Sequence, residues 1–434
     1  MKSLSLLFLL IITLASQGFS QIKVEPYEPG EGLNLSADGK YKVRFSGFLQ
    51  PMVEARIYPD MPETNPYYRF RMRRMIAKMS GSAADEKVSY QLQVDLTGSS
   101  DGGSDATTSN YLMDAWIGYK PIKQVEIVVG QENSPTDSRE MGMLSSALQL
   151  IDRSPVALAF SSIREFGLFL NTNFRVGREA VLLPSIALTN GDGANVIGKD
   201  HGGLKLGGRL DFLPFGKFGN AGQYRQTDIE RERTPKLAIG ATYSYNKGIS
   251  DRRGRQSGTI LYLDSLGNET LPDYQKFGID FIFKYRGFSM LGEYVKSGAG
   301  VPGNISQRVR ADGTTSSSFL VNGVQDIPNY VKNRIILGMG YNIQAGYLFL
   351  NRYSLDARYS HLEPESYSFL NNGTFYNRPD FYSLCVSKFM GRNYGAKVQA
   401  SLTYNKAAPG TLTVLGTPLK GNEISAALMF TISL

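Results

Sequence analysis

Apolar and polar residues alternate with a period of two along nearly the whole chain beyond residue 40. From Tyr41 one parity reads Tyr41, Val43, Phe45, Gly47, Leu49, then Val53, Ala55, Ile57; the other reads Lys42, Arg44, Ser46, Phe48, Gln50, Met52, Glu54, Arg56. Val88, Tyr90, Leu92, Val94 and Leu96 alternate with Ser89, Gln91, Gln93, Asp95 and Thr97. The pattern returns at Leu237-Ile239-Ala241-Tyr243-Tyr245, at Val398-Ala400-Leu402-Tyr404 and at Ile424-Ala426-Leu428-Phe430-Ile432-Leu434. A pleated strand sends successive side chains to opposite faces, so each segment is a strand with one apolar and one wet face. About sixteen such strands are expected between residues 41 and 434.

The connections sort by length. Long ones fall at 58–67, 98–110, 132–164, 191–203, 247–276, 298–333, 363–380 and 405–422; short ones fall at 82–86, 120–123, 173–180, 286–287, 349–353 and 390–395, with 214–235 the one long exception. A membrane barrel has short turns at one end and long loops at the other, whereas Greek-key links do not sort by parity. In hydrocarbon an unpaired strand edge strands its backbone polar groups, so the sheet must close and the strand number must be even. The expected fold is therefore all-β: a membrane-spanning, antiparallel, up-and-down β-barrel. Aromatics near strand ends (Tyr41, Tyr58, Tyr67, Tyr68, Tyr111, Tyr119, Tyr285, Phe288, Tyr404) fit interfacial girdles.

Composition narrows the setting. The first twenty residues, with Lys2, the apolar stretch Leu4 to Ala15 and Gly18-Phe19-Ser20 before Gln21, read as a secretory signal peptide; no Cys follows to carry a lipid. Its removal takes only Lys2, from a formal charge of +8. Beyond it no apolar run is long enough to span a bilayer as a helix. Residues 21–40, with Pro26, Pro29, Gly30 and Gly32, are expected to be a short irregular periplasmic arm. One Cys (Cys385) excludes an internal disulfide and a Cys-based zinc cluster, two distant His (His201, His361) argue against a His-rich metal site, and no cofactor is expected. The expected location is the outer membrane of a Gram-negative bacterium.

The charge-bearing candidates lie on wet faces. Arg69, Arg71 and Arg73 share one face of the second strand, with Phe70 and Met72 opposite; after Arg74 the apolar parity moves to Met75, Ala77, Met79 and Gly81, which predicts a bulge at Arg73/Arg74. Opposing Ile57 to Tyr68 would set Arg56 against Arg69 and Glu54 against Arg71. Arginines toward lipid would each cost ~2–4 kcal/mol at the bilayer midplane, so this face points to water. A cluster of guanidiniums, each a fork of parallel donors, suits passing oxyanions. Arg44, Arg56, Arg153, Arg209 and Arg358 join them as anion-pathway candidates. Asp95, Asp114, Glu126, Asp211, Asp280, Glu293 and Asp356, with Lys205, Lys284, Lys388 and Lys397, complete a mixed wet lining. Loop 132–164 is the candidate for narrowing the pore: Ser134-Pro135-Thr136-Asp137 reads as a helix start, followed by Met141, Leu144, Leu148 and Ile151 at helical spacing.

Other chemistry is thin. Asp101-Gly102-Gly103-Ser104-Asp105 and Asn190-Gly191-Asp192-Gly193 read as turns, and the basic residues are too dispersed for nucleic acid. His201 beside Asp200 and His361 near Glu363 form no readable triad, so no enzyme is expected. A surface-binding or adhesion barrel using the long loops 247–276 and 298–333 is the alternative, as is a general non-selective porin.

Several segments resemble the phosphate-selective porin family. They include Arg71 to Ser80 with Tyr90-Gln91-Leu92-Gln93-Val94-Asp95, Asp114-Ala115-Trp116-Ile117-Gly118-Tyr119 leading to Val129-Gly130-Gln131, Asp152-Arg153-Ser154 and Arg164-Glu165-Phe166-Gly167. Leu188 to Gly193, Gly208 to Pro214, Gly278-Ile279-Asp280, Gly287 to Tyr294 and Asp356 to Ser360 continue the succession. The resemblance implies a sixteen-stranded homotrimeric barrel, a constricting third outer loop and passive uptake of phosphate or related small anions, with the second-strand arginines and Arg153 as anion contacts. Where the family continues from Gly-Gln to a base near a Pro, this chain has Glu132-Asn133-Ser134-Pro135.

Overall fold

The computed structural model describes residues 22–434 apart from 98–110, 135, 162–163, 192, 194–200 and 253–258. The leader, the Asp101–Asp105 turn, Pro135, Asp192 and Asp200 lie outside the described residues.

Each alternating segment forms a strand. In chain order they are β1 (Tyr41–Ile57), β2 (Tyr67–Ala83), β3 (Val88–Asp95), β4 (Leu112–Ile122), β5 (Val125–Glu132), β6 (Glu165–Thr172, continued by Phe174–Val176), β7 (Ala180–Thr189) and β8 (Lys205–Leu213). There follow β9 (Lys236–Asn246), β10 (Asp273–Tyr285), β11 (Phe288–Gly300), β12 (Gly338–Leu348), β13 (Tyr353–Pro364), β14 (Asp380–Phe389), β15 (Ala396–Lys406) and β16 (Glu423–Ser433). Every strand pairs antiparallel with the next, and β16 closes on β1 through pairs such as Leu428↔Val53 and Ala426↔Ala55. The closed sixteen-strand meander leaves no edge, as hydrocarbon requires.

The two parities separate as expected. Leu49, Leu92, Ile127, Leu210, Ile239, Ile279, Leu355, Leu402 and Phe430 are exposed on the outward rows, while Gln50, Gln93, Asp211, Lys276, Gln344, Ser360 and Gln399 are buried inside. Tyr359, Tyr382 and Tyr404 stand directly opposite one another on β13, β14 and β15, with ring centroids 4.9 and 6.2 Å apart. Such a row belongs at the membrane boundary, where a ring is buried and its hydroxyl stays wet. Tyr58 does not join a girdle: it is buried, and its hydroxyl accepts from the Val414 amide. Lys388 is on the outward row of β14; it reaches the short-turn end, lying over the Tyr353 ring and donating to the Asn351 carbonyl.

Two further details differ from the sequence reading. The arm is not irregular: Lys23–Val24 pairs with Leu33–Ala37, which in turn adds to the start of β1. The register of β1 against β2 is displaced by two residues from that expected, with Ala55 opposite Tyr68 and Glu54 opposite Arg69. The bulge is where the parity change placed it, since Gln50 faces Arg74 while Pro51 faces Met72, leaving Arg73 extra. It lets both guanidiniums turn inward, where lipid cannot reach them. At the long-loop end, the described residues of loops 247–272 and 301–337 fold together around Ile249, Tyr262, Ile305, Phe319 and Ile335 as a lobe with its own apolar core.

Candidate permeation path

The third outer loop, 133–164, is tied to the inside of the wall. Arg139 pairs with Asp211 and, at 2.6 Å, with Asp280; Ser138 donates to Glu293 at 2.8 Å and Asp137 pairs with Lys276. Gln149 donates to Ser289 and Asp356, both at 2.8 Å, and Lys397 donates to the Leu148 carbonyl at 2.7 Å. Met143 and Leu148 pack on Val181, Leu213, Ala238, Ile282 and Leu291, apolar side chains on the inward rows of β7 to β11. The helix expected from Ser134 across Met141 to Ile151 does not form among the described residues, which hold there a 3-10 turn at Ser145–Ala147. Its polar side chains reach strands on different sides of the lumen, which one helical face cannot do. A helix forms instead at Pro155–Phe160, where Ser154 caps the Ala157 amide at 3.0 Å and Pro155 opens the first turn.

With the loop in place, the open space divides: about 350 Å³ lies at the outer ends of β13–β16 and β1, lined by Arg56, Asp152, Arg358, Ser383 and Asn405, and the rest follows the β1–β8 wall. A cavity of about 480 Å³ lies between the loop and β2–β8, lined by Lys78, Gln91, Gln93, Asp114, Glu126, Glu132, Asn171 and Ser185. A second, of about 140 Å³, continues toward the short-turn end past Arg44, Ser80, Glu31 and Arg225. The two share Phe48, Ile76, Lys78, Gln93 and, from the loop, Leu144. This is a neck, and Lys78 is its one charged side chain. Lys78 stands between Ser46 and Gln93 in the sheet and makes no salt bridge among the described residues. At the short-turn end of β5 to β9, a wide groove of about 820 Å³ carries Lys123, Arg175, Arg178, Lys217 and Lys236 against the single acid Glu179.

Residues 58–316 match the family described as phosphate-selective porin O and P. The chain belongs to this family. Among solved structures this porin is similar to the outer membrane channel DcaP of Acinetobacter baumannii, at 14% identity over 92% of this chain and 98% of that one, with a TM-score of 0.50. OmpF of Salmonella typhi, in complex with daunomycin, aligns at 11% identity over 92% and 100% with a TM-score of 0.52. OprB of Pseudomonas putida aligns at 12% over 92% and 95% with a TM-score of 0.51. No curated protein matches the sequence. At these identities the structures share the fold alone, and fold and family together place the porin in the outer membrane of a Gram-negative bacterium.

The porin's sequence-predicted arginines separate into groups. Arg73 and Arg74 are buried and both grip Asp152 of the loop, at 2.8 and 3.1 Å; Arg74 also donates to Gln50 at 3.0 Å. Arg153 donates to the carbonyls of Glu140 and Met143, and Arg358 to that of Asp152 at 2.9 Å. Arg209 chelates Asp211 and reaches Asp280, joining the Arg139 network. These five side chains hold the loop in position. Arg71 pairs with Glu54 at 3.0 Å, a diagonal contact across the shifted register, and Arg56 with Glu423 at 3.1 Å. Arg44 lines the cavity below the neck, 3.5 Å from Glu31, and Arg69 stays exposed at the outer end of β2.

Lys78, Arg139, Arg164 and the five cations of the inner groove escaped the sequence reading. Lys78 lies on the wet parity that resumes after the bulge, so the parity change itself was the available signal. Arg164 binds Asp114 at 2.6 Å across the upper cavity. The two histidines are apart from the path: His201 contacts Glu269 at 3.1 Å, and His361 contacts Asp380 at 2.8 Å on the outward row of β13.

Proposed function

We propose that this outer-membrane porin is a passive channel preferring small anions, phosphate and related oxyanions among them. The observation that carries the reading is the charge of the path's inner half. The neck holds Lys78, the cavity below it adds Arg44 and Arg225 against Glu31, and a separate groove at the same end of the barrel adds five cations against Glu179. Cations lining a narrow wet passage lower the energy of an anion within it and raise that of a cation. Above the neck the lining is mixed, and most of its charges are already paired. The selective element in this reading is therefore low in the barrel, with the second-strand arginines fastening loop three and Arg69 greeting solutes at the outer end.

Family membership supports phosphate as a solute, and the same resemblance supports a homotrimer embedded in outer-membrane lipid. The histidines contact Glu269 and Asp380 and line neither the upper cavity nor the neck, which supports a conduit. The test is a reversal potential across a planar bilayer under a salt gradient, for the wild type and for Lys78→Gln. Anion preference that weakens in the variant is expected; a cation-preferring wild type would overturn the reading.

A further inference from the structure

The connection between β8 and β9, residues 214–235, sits at the end of the barrel where every other connection is a short turn. It does not hang free. After Phe218, buried against Val181 and Leu213, the backbone turns through left-handed Asn220 (φ 46°) and Ala221 (φ 52°) and enters the lumen. Gln226, Thr227 and Asp228 are each 1% exposed. Gln226 meets the underside of loop three with its whole length. Its amide donates to the Ala147 carbonyl at 3.1 Å and its side-chain nitrogen to Glu140 at 2.9 Å, while its side-chain oxygen accepts from the Gln149 amide at 2.8 Å. That oxygen also accepts from Gln344 on the β12 wall at 3.0 Å. The Thr227 carbonyl accepts from Lys284 at 3.1 Å and from the Tyr394 hydroxyl, and the Asp228 carboxylate accepts from the Gly287 amide at 2.7 Å.

We propose that 214–235 is an inner plug which, through Gln226, holds loop three from below, closes the inner end of the β9–β15 half of the lumen and so sets the width of the permeation path. A buried amide bonded on every side is costly to uncouple, because each partner left behind loses its hydrogen bond in a dry setting. Loop three is consequently clamped between strands on its outer side and this plug on its inner side. The inference goes beyond the anion reading: it concerns how wide the path is, and holds whichever ion is preferred.

The direct test replaces residues 217–232 with a two-residue turn and records single channels. A sixteen-strand barrel is wide enough for an open aqueous channel, so unsealing half the lumen should raise conductance about twofold or more and admit larger neutral polyethylene glycols. A folded variant, judged by its resistance to unfolding in detergent, with unchanged conductance and size limit would overturn the proposal. Because the deletion could prevent folding, a second arm uses the full chain carrying Cys385→Ser and Thr227→Cys. That thiol should resist a water-soluble maleimide from either side and become reactive when Gln226→Ala is added. Ready labelling without Gln226→Ala, or no labelling with it, would overturn the proposal equally. Selectivity is read separately by reversal potential, so failure of the anion reading leaves these outcomes unaffected.

Discussion

The two halves of this barrel use the same strand geometry for different ends. On the β9–β15 side, below the outer cavity at β13–β16, the inward rows meet protein: loop three from outside, 214–235 from inside, with Ala238, Ile282 and Leu291 packed and Asp280, Asp356 and Gln344 bonded. On the β1–β8 side the inward rows face open space, and Lys78, Gln91 and Glu132 look onto it. A guanidinium that meets loop three or its network, as Arg358 does on the β9–β15 side and Arg73, Arg74 and Arg209 do on the other, is an anchor, because a carboxylate or carbonyl already occupies its donors. The Lys78 ammonium, which faces the open space, remains available to a solute. Charge on a wet face thus has two meanings, and only its partners tell them apart.

Breaking an anchor should have the largest effect. Arg139→Ala leaves Asp211 and Asp280 with only Arg209 between them, and losing one member of a buried ionic network costs about 3–5 kcal/mol. A lowered denaturation midpoint with noisier, larger conductance is expected; wild-type stability would show the network to be solvated. The outer surface of the same half provides a second comparison. Ile279 is 46% exposed at the centre of β10, and Ile279→Arg toward lipid should cost ~2–4 kcal/mol, read as reduced assembly in bilayers.

Changes on the open side should leave stability alone and move selectivity. Lys78→Glu changes the charge of the neck by two units; at about 1 kcal/mol per unit charge at about 4 Å in water, that is about 2 kcal/mol, a fall of roughly thirtyfold or more in the anion-to-cation permeability ratio. An unshifted reversal potential would place Lys78 off the path. Arg69→Gln, at the exposed outer end, should change the ratio by less than about twofold at low salt and not at all at 1 M, where screening acts within ~3 Å. A large, salt-independent change there would instead restore the second strand as the selective element.

The fold was legible because its determinant is local. Period-two alternation and the sorting of connections by length follow from the bilayer, and they yielded the closed meander, its strand boundaries and the Arg73/Arg74 bulge. Register was less legible: a shift of two residues preserves which face each side chain takes, so Tyr68 opposite Ala55 and opposite Ile57 satisfy the pattern equally. The site was legible only in part. Arg73, Arg74, Arg153 and Arg358 were marked as wet-facing, yet whether a guanidinium serves a solute or Asp152 depends on a loop far away in sequence. Ser134-Pro135 and Ser154-Pro155 carry the same helix-start chemistry, and long-range bonds from Asp137 to Gln149 decided which one was used. One signal was present and unread: Val181, Leu213, Ala238, Ile282 and Leu291 are apolar residues on the wet parity, which in a barrel calls for protein inside. The length of 214–235, exceptional among the inner connections, pointed the same way.

The central claim is that ions pass along the β1–β8 wall while the opposite inward face, below the outer cavity at β13–β16, is dry. It is tested most directly by channel block in a Cys385→Ser background, comparing Gln91→Cys with Ser360→Cys under a charged methanethiosulfonate. The account predicts a stepwise loss of current for Gln91→Cys and none for Ser360→Cys. Equal block at the two positions, or block at Ser360→Cys alone, would contradict it.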